Sequence, residues 1–274
     1  MMKSWSLLII ATLLLAGCGL FPKEEDETRN WSAQKLYSEA SSAMSRGDYT
    51  NAIKYYERLE ANYPFGQYAM QAQLGVAYAY YRAEEFDSAI AAANRYIQMH
   101  PRSPHVDYAH YLKGIVNFNR SMGLLERFMP VDSSQRDPAS AMTAYHDFLR
   151  LIELFPESEY AVDARKRLLY LRNNLARHEV HVADYYMRRG AYLAAVNRAK
   201  AVLEHYSQSP AARDALELMI RGYQQLGMQD LADDTRRVLE LNLAQGNFAE
   251  EVAMDSQDLT ISRRVWDFLR LDQN

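Results

Sequence analysis

From residue 32 to about residue 243 the apolar positions recur at intervals of three and four. Leu36, Ala40, Ala43 and Met44 share one helical face, and so do Ala52, Ile53, Tyr56 and Leu59. The two runs predict two helices separated by the turn Arg46-Gly47-Asp48-Tyr49, with Gly47 suited to the positive φ of a helix C-terminus. Pro64 ends the second helix, because it lacks an N–H and biases Tyr63 away from the α region. The unit then returns. Tyr49 aligns with Phe86, Ala52 with Ala89, Leu59 with Tyr96 and Pro64 with Pro101, each at an offset of 37 residues. Marker alanines stand at 52, 89, 144, 195 and 232, with spacings of 37, 55, 51 and 37.

A small residue at the marker lets the first helix of a pair approach the second closely, near the lower end of the usual ~8–10 Å range. The aromatic residue three positions earlier fills the turn, and proline closes the unit. This pattern resembles the tetratricopeptide repeat in five degenerate copies. It predicts an all-α fold, a superhelical solenoid with a concave and a convex face over residues 32–243. Two places depart from the simple spacing. An insertion lies between Asn119 and Pro138, where Asp137-Pro138 restarts a helix. Residues 158–189 contain neither Gly nor Pro and predict one long helix, or two nearly continuous ones, up to Gly190. In the tail, 244–274, the stretch SRRVWDFLRL (262–271) has the pattern of a short amphipathic helix, read as a cap on the last repeat or as a partner-binding segment.

The N-terminus follows another logic. Lys3 precedes an apolar run from Trp5 to Ala16, the layout of a secretory signal peptide over residues 1–17. Leu15-Ala16-Gly17-Cys18 resembles a bacterial lipobox, which makes Cys18, the sole cysteine, a lipid attachment point. Acyl chains hold by about 0.8 kcal/mol per buried methylene, so stable anchoring takes more than one. By resemblance to bacterial lipoproteins, Gly19 in place of Asp directs the protein to the outer membrane. The acidic run Glu24-Glu25-Asp26-Glu27 makes residues 18–31 a flexible tether.

Composition narrows the function. Loss of residues 1–17 removes Lys3 and takes the net charge from −4 to −5, and no basic stripe suggests nucleic acid. No phosphate-binding loop, nucleophile elbow or dinucleotide fingerprint occurs, so neither an enzyme nor a cofactor is expected. His178 and His181 in HEVH are three apart where a zincin needs four, and a structural pair is the simpler reading. Twenty tyrosines need an account. Tyr37, Ser41 and Met44, then Leu74, Tyr78 and Tyr81, form a stripe beside the expected core residues Ala40, Ala43, Ala77 and Tyr80. Two readings fit: a concave aromatic groove for an extended peptide, or tyrosines packed between helices with their hydroxyls at the surface.

The segments NYPFGQYAMQAQL, HPRSPHVDYAHYLKG, ERFMPVDSSQRDP and EVHVADYYMRRGAYLAAVNR, with the lipobox and the repeats, resemble the BamD or ComL family of outer-membrane assembly lipoproteins. The resemblance implies a non-catalytic, periplasm-facing member of the β-barrel assembly machine. Its partners would be the POTRA domains of a BamA-like barrel subunit, BamC-like and other lipoproteins, and unfolded outer-membrane proteins. Arg198, in AVNR, matches a basic family position implicated in the BamA contact; a solvated helix arginine is the plain alternative. The client signal is rich in aromatic residues. The resemblance carries over Tyr63, beside Phe65 in the YPFG motif, which also reads as a rigid turn, and the signal would suit the groove reading of Tyr37, Met44, Tyr78 and Tyr81. A different class of function, a repeat lipoprotein that organises peptidoglycan hydrolases, is the competing expectation.

Overall fold

The computed structural model describes residues 28–122, 134 and 137–248. The signal peptide, Cys18, the acidic run, most of the insertion and the segment 262–271 lie outside the described residues. Those described form ten helices and no strand: α1 Ala33–Ser45, α2 Tyr49–Asn62, α3 Gln67–Arg82, α4 Phe86–Met99, α5 Val106–Ser121, α6 Ala139–Leu154, α7 Ala161–Arg188, α8 Tyr192–His205, α9 Ala211–Gln225 and α10 Gln229–Gln245. They pair as five hairpins, each helix packed on its neighbours in sequence, and α3 also meets α1 and α5. This is the all-α solenoid that the repeat pattern predicts. No helix among the described residues is long and apolar enough to cross a membrane.

The local signals act as their chemistry requires. Ser32 accepts a hydrogen bond from the Lys35 N–H at 3.2 Å, and Asp48 accepts one from the Asn51 N–H at 3.2 Å, so each caps a helix. Asp137 accepts from the Ala139 N–H at 3.0 Å, which starts α6 one residue after Pro138. All five marker alanines have no exposed surface. The position five residues before the marker is left-handed in four turns, at Gly47, Glu84, Gly190 and Gly227, with φ of 76°, 61°, 73° and 72°. Only Glu84 pays a side-chain penalty there.

Close approach also runs in the other direction, from glycine to ring. A Cβ at Gly75 of α3 would lie 2.6 Å from the Tyr56 ring of α2, and one at Gly114 of α5 would lie 2.5 Å from Phe148 of α6. Two cores result. The first extends from Leu36 on α1 to Leu171 on α7, and the second from Leu175 on α7 to Met219 on α9. The 28-residue α7 therefore belongs to both, and polar side chains sit between its two halves: Asn173 and Asn174 are buried at the changeover.

Two expectations need correction. The tether is not loose up to residue 31. Thr28 is buried and accepts a hydrogen bond from Arg58 Nε at 3.1 Å, and the Trp31 ring lies 5.6 Å from that of Tyr55. An indole cannot be left in water at no cost when an apolar ledge is within reach. Tyr80, expected in the core, is only half-buried, and its hydroxyl donates to Glu57 across the α2–α3 contact.

Candidate functional site

Two surfaces carry the residues singled out above. The first is the turn between α2 and α3. Tyr63 leaves α2 with φ −135° and ψ 71°, outside the helical region as its following proline demands. Gly66 follows at φ 101°, with nothing within 4 Å of the place a Cβ would take. Between them Phe65 is 90% exposed, an unusual position for a phenylalanine. Tyr63 is 38% exposed, and its hydroxyl donates to the Trp31 carbonyl at 2.9 Å. Lys35 Nζ stands 4.2 Å from the centre of the Trp31 ring. Trp31, Tyr63 and Phe65 thus make an aromatic ledge with one cation beside it, held by a hydrogen bond that ties the turn to the segment before α1. The exposed rings offer stacking area and Lys35 offers charge, a combination suited to a peptide with aromatic side chains and a carboxylate.

The stripe does not join this ledge. Tyr37, Met44 and Tyr78 are buried, at 2–3% exposure, and so line no open groove. Tyr37 packs against the Tyr56 and Tyr68 rings at 6.0 and 5.6 Å, and the Tyr78 hydroxyl accepts from Arg82 at 3.1 Å. Tyr81 is half-buried, with its ring 6.0 Å from Tyr78 and its hydroxyl bonded by the Asn119 amide. The physical reason is crowding. The first helix of a hairpin is enclosed by its own partner, by the preceding second helix and by first helices on either side, as α3 is by α4, α2, α1 and α5. Of the six aromatic-groove positions, Tyr63 and Phe65 stand at the surface. Trp31 was not picked out from sequence. Its signal was an indole in an otherwise polar segment immediately before an N-cap serine.

The second surface lies on α7 and α8. Arg198 is half-exposed and meets Glu179 of α7 through Nη1 at 3.1 Å. The pair fixes the direction of the guanidinium, and its planar fork keeps further donors for a second carboxylate. Immediately before Glu179 on α7, His178 Nδ1 lies 2.8 Å from the Ser134 carbonyl. That contact ties the described residue of the insertion to the changeover between the two cores. Among the described residues no cluster of His, Cys, Asp and Glu has the form of a metal site.

Comparison with known proteins identifies the family of the chain. The family model described as YfiO, outer membrane lipoprotein, matches residues 29–239. Curated relatives named outer membrane protein assembly factor BamD include one from Neisseria meningitidis serogroup A, 42% identical over 90% of this chain and 94% of the relative. One from Neisseria gonorrhoeae is 41% identical over the same shares, and one from Vibrio cholerae is 34% identical over 85% of this chain and 96% of the relative. A match that spans every hairpin and nearly the full length of such relatives leaves one conclusion: the chain belongs to the BamD, or YfiO, family of outer membrane lipoproteins.

Proposed function

We propose that this protein is an outer membrane protein assembly factor, a non-catalytic scaffold of the β-barrel assembly machine. The observation that carries the reading is the 42% identity, over 94% of its length, to a relative bearing that name. In this reading Cys18 is acylated and holds the protein on the periplasmic face of the outer membrane. Confinement to that surface raises the effective concentration of the scaffold near its partners. The Trp31–Tyr63–Phe65 ledge takes the aromatic end of an unfolded barrel protein, with Lys35 toward its carboxylate. Arg198, pre-aimed by Glu179, takes a carboxylate of a BamA-like subunit, and BamC-like and other lipoproteins complete the assembly. No cofactor and no nucleic acid enter the scheme.

The test is a detergent pull-down of the tagged, lipidated protein with the bound proteins identified by mass spectrometry. Recovery of a large outer-membrane barrel with periplasmic domains is expected. Recovery of peptidoglycan hydrolases without that barrel would overturn the reading. Arg198→Glu should reduce co-purification of the barrel subunit with helicity unchanged. Phe65→Ala should weaken crosslinking to a client peptide and leave the barrel subunit bound. Equal loss of both from Phe65→Ala would make the turn a fold element and remove the ledge from the site.

A further inference from the structure

The repeats can be compared position by position from their marker alanines. One, six and nine residues from the marker (before it for the first, after it for the others) the second helices carry Asn51, Arg58 and Ala61 in α2 and Ser88, Arg95 and Gln98 in α4. In α6 they carry Thr143, Arg150 and Glu153, and in α8 Ala194, Ala201 and Glu204. In α10 the same places hold Leu231, Val238 and Leu241, which are 45%, 47% and 57% exposed. The last hairpin alone has a large apolar stripe on the back that the others keep small or polar.

This stripe is not the unpaired end of the solenoid. Where Ile53 and Tyr56 of α2 receive the next hairpin, α10 carries Asp233 and Arg236, ion-paired at 2.5 Å. This pair occupies the end position with charge. The apolar surface has been moved to the side, and an arrangement of three aliphatic residues seven and three apart is a helix-docking seam.

We infer that residues 261–271 dock on this seam as a helix of the same chain, antiparallel to α10. Ile261, Val265, Phe268 and Leu269 fall at spacings of four, seven and eight, one face of a helix. That face is about 12 Å long, against about 15 Å from Leu231 to Leu241. The charges are complementary. Segment 261–271 carries Arg263, Arg264 and Arg270 against one acid, Asp267, whereas on α10 Arg236 and Arg237 are taken up by Asp233 and Asp234, which leaves Asp230 and Glu240 as its acids. Residues 249–260 reach roughly 40 Å when extended, more than enough to turn back beside the C-terminal end of α10 and start an antiparallel helix there. The family match stops at residue 239, so Leu241 and the occupant lie beyond it.

Amide hydrogen exchange on the detergent-solubilised full chain, alone, tests this. Peptides covering 261–271 should exchange at least about tenfold more slowly than an unstructured chain. The protection should be equal in dilute and concentrated protein. Val238→Asp and Phe268→Asp should each abolish it while α9 keeps its own protection. Phe268 lies outside the solenoid, so that variant separates undocking from unfolding. Exchange at the unstructured rate in the isolated chain would overturn the inference and leave the seam to another protein. Protection that grows with concentration would overturn it in favour of a second copy. Protection that survives Val238→Asp would place the segment elsewhere and equally overturn it.

Discussion

The first core and the second differ in what fills them. The first is built on rings: Tyr56, Tyr96, Tyr108, Phe118 and Phe148 are all but fully buried, with stacking such as Tyr111 on Tyr160 at 4.9 Å. The second is built on aliphatic and small residues, Val196, Ala199, Val202, Ala215 and Leu218, with Tyr206 at its edge. Among second helices, α2, α4 and α8 each bury four residues, whereas α10 buries Ala232 and Thr235. In a solenoid each unit is stabilised by its own packing and by its neighbours alone. The aromatic half is therefore the rigid platform that carries the Tyr63–Phe65 turn. The aliphatic half is the softer one, and it carries Arg198 and the side-facing seam. The proposed function, a partner at one end and a ledge at the other, would have use for this difference.

The largest expected effect breaks the platform. Phe148→Ala should cost about 3–5 kcal/mol and speed amide exchange in α5 and α6. Protection in α9 should be unaffected; equal acceleration there would show one cooperative unit and erase the distinction between the halves. Gly114→Ala should cost about 1–3 kcal/mol, because the new Cβ meets a ring buried on all sides. Gly222→Ala meets Val196 Cγ2 at the same 2.5 Å but in the softer core, and should cost less in a denaturant titration. Equal costs would mean that the two cores yield alike. Smaller again, and of opposite sign, Glu84→Gly should stabilise the first half by about 1 kcal/mol, since φ is 61° there. Gly190→Ala should weaken the second by a similar amount. The smallest effect is that of pH. Burial holds the imidazoles of His105 and His110 below their ordinary 6.5. The unfolded chain then binds more protons than the folded one just below pH 6.5, so the first half should lose stability as pH falls through that window. Thermal melts at neutral and mildly acidic pH would show it, and His110→Gln should reduce the shift.

The parts legible in the sequence were those decided within one hairpin. The marker alanines, Gly47 at positive φ and the end of α7 before Gly190 all depend on contacts a few residues apart and were legible from spacing, whereas α6 starts at Ala139 with Pro138 as its cap, one residue later than the Asp137 cap expected. The stripe was not legible from spacing. Helical periodicity states that Tyr37, Met44 and Tyr78 share a face; it does not state how many helices close over that face. Nor did it state that Glu84 adopts the conformation of the glycines, since only the register with Gly47 reveals that.

The sequence alone determined the repeat, the hairpin boundaries and the family, because those rest on local propensity, small-residue spacing and motif. Tertiary structure decided which aromatic residues remain at the surface, that Glu179 aims Arg198 from another helix, and that α7 divides the core in two. It also decided that the apolar positions of α10 face sideways and not along the solenoid axis. Those outcomes depend on which helices meet, and burial is a property of the neighbours as much as of the residue.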